Sequence, residues 1–357
     1  MDMVSLNLTN PICKSGGVSL PLPEQLLREI NRDHPNIWKV ADEVRSDCIK
    51  QGMRWADCDF LPHDMWWKVL SLHHPHLRMT PDLEYYVLQE SYGLSFISQW
   101  RQTKRVYRFA ESLRHALTDT ALKGVIPSEV FKRMPERGMF IESPGLIDGN
   151  GERWDGFGVF LNTNPQGMPL ICLMPLRREL NGSLSISYMS FALDMGYSIE
   201  EALNDCQNRT VEALKAYGIN YELPEMKKTE RFVAECLSLT LYLCSEEPDM
   251  SDDWMPLIPS GKKVKSGIRH FQADKLEVWN VGVRIGVALD MAKKCVKGGS
   301  DWQGGTHARP RGHIRRAHWH TFRTGKARTV PVVKWISPIR VNLGMDAVLP
   351  VSIHPVQ

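Results

Sequence analysis

Leu22, Leu26, Leu27 and Ile30 recur at three- and four-residue spacing, the period of one helix face, and Pro23 stands where a first helical turn accepts proline. Residues 37–49 and 63–72 carry the same signal, with Trp66 and Trp67 fitting a core better than an exposed anchor. Residues 85–114, rich in aromatic side chains, read as a helix pair broken near Gly93. The first third is therefore predicted to be a helical layer or bundle.

The period then changes. Residues 138–142, 157–161 and 170–173 are short apolar runs, and Asn181-Gly182 is a tight-turn pair. Beyond it Leu184, Ile186 and Tyr188 alternate with Ser183, Ser185 and Ser187, the pattern of a half-buried strand. Four strands of a mostly antiparallel sheet follow from this spacing. Helical period returns at Ser198-Ile199-Glu200-Glu201, which has capping-box spacing, with Leu203, Cys206, Val211 and Leu214 on one face and Gly218 as the stop. Residues 232–244 are apolar almost all round and predict a buried helix, with Cys236 and Cys244 as packing residues.

Residues 278–286 read as a strand or short helix. They are followed by a loop with Gly298, Gly299, Gly304 and Gly305, a basic strand-like stretch at 313–322, and strands at 330–335 and 339–342. The expected fold class is α+β: a helical N-terminal part, then a mixed, mainly antiparallel sheet with packed helices. The divisions are 1–135, 136–260 and 261–357, the last two packed as one domain.

Composition narrows the class. The 357 residues are 43% hydrophobic and 24% charged, globular usage that excludes disorder, collagen and coiled coil. No segment combines the length and apolar content of a membrane span, so no membrane partner is expected. The N-terminus lacks a basic region followed by an apolar run, which argues against a secretory signal. Eight cysteines form no C-x-x-C pair and read as reduced, buried thiols of a cytoplasmic protein.

A net charge of +3 conceals an asymmetry. Residues 1–260 hold 26 Lys and Arg against 36 Asp and Glu, whereas residues 261–340 hold 18 against 4, with five of the twelve histidines. So concentrated a cationic stretch suits a polyanion: RNA, the ribosome or, less often, anionic lipid. The bland alternative is that the basic tail packs against the acidic front.

The densest chemistry is Arg309-Pro310-Arg311-Gly312-His313-Ile314-Arg315-Arg316-Ala317-His318-Trp319-His320-Thr321-Phe322-Arg323. As a strand, alternation places Arg316, His318 and His320 on one face, and His313, Arg315, Trp319 and Arg323 on the other. A metal-independent ribonuclease needs a base, an acid and a cation for the phosphorane charge, and His318, His320 and Arg316 meet that list. A non-catalytic RNA or ribosome surface would instead use Arg309, Arg311, His313, Arg315, Trp319, Arg323 and Lys334, with Trp319 stacking on a base. A purely structural or protein-binding strand is the third reading.

Zinc on His307, His313, His318 and His320 is disfavoured by the flanking arginines and the lack of a Cys pair or nearby carboxylate. Residues 148–159 resemble a calcium loop superficially, but Arg153 stands where glycine is needed and Val159 where the bidentate Glu belongs, so a hairpin loop is expected. Walker A, G-x-G-x-x-G and G-x-S-x-G motifs are absent, and no cofactor is expected.

The run 313–320, followed by Val333-Lys334-Trp335-Ile336-Ser337-Pro338-Ile339-Arg340-Val341-Asn342, resembles the C-terminal signature of a phage- and plasmid-encoded anti-CRISPR family, that of the second type V-A inhibitor. Three upstream segments fit in order: Trp100-Arg101-Gln102-Thr103-Lys104-Arg105-Val106-Tyr107, Met134-Pro135-Glu136, and Leu241-Tyr242-Leu243-Cys244-Ser245-Glu246-Glu247-Pro248-Asp249. In two places the chain departs from the pattern: Arg311-Gly312 precede His313, and Arg323 stands where a Trp is usual. The resemblance implies a protein of the bacterial host cytoplasm that lowers the amount of the type V-A CRISPR effector nuclease. It implies recognition of the effector's nascent N-terminal peptide and loss of its mRNA during translation. A ribonuclease acting directly on that mRNA and a plain protein-binding adaptor are the alternatives.

Overall fold

The structure, a computed structural model, describes residues 20–341 except 56–59, 76–80, 123, 165–166, 194, 217, 219–221, 266, 298–312 and 316. The N-terminal helices are α1 (Leu22–Asp33), α2 (Ile37–Lys50), α3 (Met65–His73) and α4 (Pro81–Trp100). There follow β1 (Arg105–Phe109), α5 (Glu111–Thr118), α6 (Ser128–Phe131), β2 (Gly138–Ile147), β3 (Arg153–Thr163), β4 (Pro169–Arg178), β5 (Leu184–Ile186) and β6 (Met189–Ala192). Next come α7 (Ile199–Ala216), α8 (Met226–Leu243), β7 (Lys262–Val264), β8 (Gly267–Arg269), β9 (Glu277–Val281) and α9 (Val283–Lys297). The last elements are β10 (His313–Arg315), β11 (His318–Thr324), β12 (Val330–Ile336) and β13 (Ile339–Val341).

The architecture is α+β, as the sequence predicts. A seven-stranded sheet runs in the order β5-β4-β3-β2-β1-β9, with β6 also on β4. β1 is parallel to both its neighbours, β2 and β9, while the other pairs are antiparallel. Strand alternation feeds two separate cores. Val106, Phe140, Phe160, Cys172 and Met174 point to the side covered by α1–α4. Their neighbours Tyr107, Met139, Ile141, Val159, Leu161, Ile171 and Leu173 point to the side packed by α5–α9. A sheet covered on both faces buries nearly every side chain of β3 and β4, so those strands read as continuous apolar runs.

Local signals held where the physics is local. Ser198 and Glu201 form the reciprocal capping box at the start of α7: the Glu201 N–H donates to Ser198 Oγ at 3.3 Å and the Ser198 N–H to Glu201 Oε2 at 2.8 Å. Asp148 closes the β2–β3 hairpin by accepting from the N–H groups of Asn150 and Glu152 and from the Trp154 indole, which accounts for the calcium-like spelling. Trp66 is fully buried as expected, whereas Trp67, also read as core, is 40% exposed because its neighbour occupies the inward face of α3. The five described cysteine side chains are buried free thiols, and burial pushes Cys244 up to about 12.

Two further expectations for the first third are corrected. α4 runs unbroken through Gly93, which is not a stop; a Cβ there would meet only an ordinary 3.8 Å contact with Ile186 Cδ1. The broken helix pair is instead a helix and a strand. The chain reverses at residues 101–104, with Lys104 at φ 51, and residues 105–109 enter the sheet as β1. At β3 the same helix comes so near that a Cβ on Gly158 would sit 2.6 Å from the Phe96 ring.

Candidate functional site

β11 and β12 pair as an antiparallel ribbon with His318 opposite Ile336, Trp319 opposite Trp335 and His320 opposite Lys334. The ribbon's root is fixed to the core. Val332 and Val333 are buried, the Trp335 indole donates to Thr120 Oγ1 at 3.1 Å, and the Trp335 ring meets Tyr242 of α8 edge-on at 6.4 Å. An Arg133 guanidinium N–H donates to the Pro331 carbonyl at 2.9 Å. Trp319 packs half-buried against the same core, with its indole N–H shut from solvent and without a hydrogen-bond partner among the described residues. An orphan of that kind costs about 1–3 kcal/mol.

Beyond the root the ribbon stands in solvent. Residues 320–330 are all exposed, and the turn carries Gly325, Ala327 and Arg328 at positive φ. His318 and His320 share one face with Phe322, whose ring meets His320 edge-on at 4.4 Å. Arg323, Lys326 and Arg328 are exposed and form no ion pair among the described residues. Lys334 pairs with Glu246 at 3.2 Å, half-exposed, which holds it only weakly. His313 and Arg315 lie on the short strand β10, paired with β13. Arg309, Arg311 and Arg316 fall outside the described residues.

Between β1 and the segment leading into β2 lies a buried polar network that residue types alone did not reveal. Glu136, 1% exposed, accepts the hydroxyls of Thr103 and Tyr107 and lies 3.5 Å from the Arg105 guanidinium. Burial pushes its carboxyl up to about 7, against the lowering effect of those hydroxyls and of Arg105. Arg105 also donates to Glu277 at 2.9 Å and to the Met255 carbonyl at 2.8 Å, and lies over the Trp279 ring at 5.4 Å.

Asp249 starts the wall of an open cleft of about 820 Å³, lined by Asp249, Asp252, Asp253, Glu277, Trp279 and Arg284. Asp249 accepts from Arg284 Nε at 2.6 Å and from the Ile285 N–H at 2.9 Å, so it fixes the first turn of α9. Four carboxylates line the cleft beside Arg284; Glu277 is also paired with Arg105 behind it, Asp249 and Asp252 pair with Arg284, and Asp252 is 98% exposed. These acids come from two segments that approach only in the fold.

The four separated sequence segments thus converge. Tyr107 of the first touches Glu136 of the second; Tyr242 and Glu246 of the third touch Trp335 and Lys334 of the fourth. The fold is one already solved in the crystal structure of AcrVA2, similar over 91% of this chain and 100% of that chain at 18% identity and a TM-score of 0.60. A sequence model described as AcrVA2-like, the anti-CRISPR type V subtype A2 family, matches residues 107–343, and the chain belongs to that family of CRISPR inhibitors. No curated protein matches it in sequence. Among the described residues no helix is long and apolar enough to cross a membrane.

Proposed function

We propose that this anti-CRISPR protein acts while the type V-A effector nuclease is being made, in the cytoplasm of the bacterial host. It recognises the nascent N-terminal peptide of the effector and promotes loss of the mRNA. One observation carries this reading: Arg323, Lys326 and Arg328 stand exposed, without carboxylate partners among the described residues, on a ribbon whose root is bonded to the core. A cationic face that the acidic front does not neutralise suits mRNA or ribosomal RNA.

The acidic cleft supports the peptide half. β9 is the outer strand of the sheet, and its Glu277, Val278, Trp279 and Asn280 form one wall. An extended cationic segment would add to that edge through main-chain hydrogen bonds and bring positive charge to Asp252 and Asp253.

The test is co-sedimentation with ribosomes translating effector mRNA, with transcript levels read in parallel. Wild type is expected to co-sediment and to deplete the transcript, and the triple variant Arg323→Glu, Lys326→Glu, Arg328→Glu to do neither. Full activity of that variant would overturn the proposal. Purified protein incubated with labelled transcript addresses the cutting agent. An intact transcript supports recruitment of a host nuclease, whereas cleavage lost on changing His318 and His320 to Ala would make the ribbon itself the nuclease.

A further inference from the structure

Three imidazoles meet at the end of the helical layer, outside the residues matched by the family. His34 caps the C-terminal end of α1, and His73 and His74 close α3. His74 Nε2 lies 2.9 Å from His34 Nδ1 and 3.0 Å from His73 Nδ1, and the three ring nitrogens all lie within 4.8 Å of one another. His34 is buried, and His73 and His74 are half-buried.

The outer nitrogens fix the protons. His73 Nε2 is 2.7 Å from the Pro35 carbonyl, which can only accept, so Nε2 carries the hydrogen. His34 Nε2 is 3.4 Å from the Glu90 carboxylate of α4 and is likewise a donor. In their neutral forms both rings therefore turn an Nδ1 lone pair inward, onto a single atom that carries at most one hydrogen. Three inward nitrogens with one proton between them form a poor hydrogen-bond set and a good ligand set. The outer partners, one carboxylate and one backbone carbonyl, are those that orient metal-bound histidines.

We propose that His34, His73 and His74 bind one divalent transition-metal ion, zinc by ligand type, through Nδ1, Nδ1 and Nε2. Three neutral imidazoles suit zinc, and the half-exposed side leaves the fourth position to water. Nitrogens around tetrahedral zinc stand about 3.3 Å apart. The two short pairs therefore open slightly and small ring rotations complete the site. The ion joins the ends of α1 and α3 and, through Glu90, α4, so its role is to hold the helical layer together.

The test is calorimetric titration of zinc chloride into tag-free, chelator-stripped full-length chain, with cobalt absorption as a second readout. One equivalent is expected in wild type and in the His318→Gln, His320→Gln variant, and none in the His34→Gln, His73→Gln variant. Glu90→Gln keeps all three ligands and is expected to weaken affinity about 10–100-fold. Should the double histidine variant fail to fold, the Glu90→Gln affinity and the visible bands of tetrahedral cobalt in wild type decide. Absence of zinc uptake by wild type, equal uptake by a folded His34→Gln, His73→Gln variant, or uptake that disappears with His318 and His320 would each overturn the assignment.

Discussion

The hydroxyl of Tyr107 donates to the carboxylate of Glu136, tying β1 to the segment that leads into β2 inside the core. The contact gives the chain a pH dependence of definite sign. Glu136 ionises near its usual 4.5 when unfolded and at about 7 when folded, because burial disfavours the charge. The folded chain thus holds a proton that the unfolded chain has released across that window. Stability from this group is complete below pH 4.5 and is lost as pH rises through 7, by about 3 kcal/mol at most. Glu136→Gln keeps the shape and removes the titration. Denaturant midpoints of wild type and variant are expected to diverge between pH 4.5 and 7, the variant gaining; parallel curves would contradict the assignment.

The two indoles of the ribbon root should respond differently to the same substitution. Trp335 loses a made hydrogen bond to Thr120 on becoming Phe, whereas Trp319 loses an N–H that has no partner among the described residues. Trp335→Phe is expected to cost about 1–2 kcal/mol more than Trp319→Phe in chemical denaturation, and to lower hydrogen-exchange protection across β12.

Polyanion binding by the ribbon would show in its salt dependence. Each cation that neutralises a phosphate of a single strand contributes about 0.7 to the slope of log affinity against log salt. Replacing Arg323, Lys326 and Arg328 together by Gln is expected to reduce that slope by about 2 in filter-binding or anisotropy titrations on RNA. Because all three side chains are exposed, thermal stability should stay within about 0.5 kcal/mol of wild type.

The cleft carries the peptide half of the proposal separately. Asp252→Lys with Asp253→Lys reverses the charge of two exposed positions; it removes the 3.7 Å contact of Asp252 with Arg284 but keeps the Asp249 carboxylate that fixes α9. Capture of a synthetic peptide of the effector N-terminus should fall at least tenfold, while RNA binding by the ribbon stays unchanged. Undiminished capture would move the peptide to another surface.

What could be read from the chain alone follows the range of the interactions. The Ser198–Glu201 box, the Asp148 hairpin and the apolar helix α8 are specified by residues within a few positions of each other, and all three formed where the pattern placed them. Residues 105–109 were hidden because a five-residue strand between parallel neighbours draws its partners from residues 140–142 and 277–281, and no local alternation betrays it. Gly93 misled because a lone glycine costs a helix interior only about 1 kcal/mol, which the burial of Leu94, Phe96, Ile97 and Trp100 on the same helix outweighs. The cleft acids and the histidine triad were illegible for a related reason. Glu277 of β9 and Asp249 of the loop after α8 line one cleft, and His34 meets His74 forty residues on, so neither set has a spacing to recognise.

The register that pairs Arg105 with Glu277 also sets an order of events in the making of this inhibitor. A ribosome that has delivered β1 through β6, which ends at Ala192, has exposed a sheet whose β1 margin stays open until β9 emerges, beginning at Glu277. Any product terminated short of β9 would present it to other chains, so an aggregation-prone fragment, and not a partly active one, is the expected outcome of a late nonsense change.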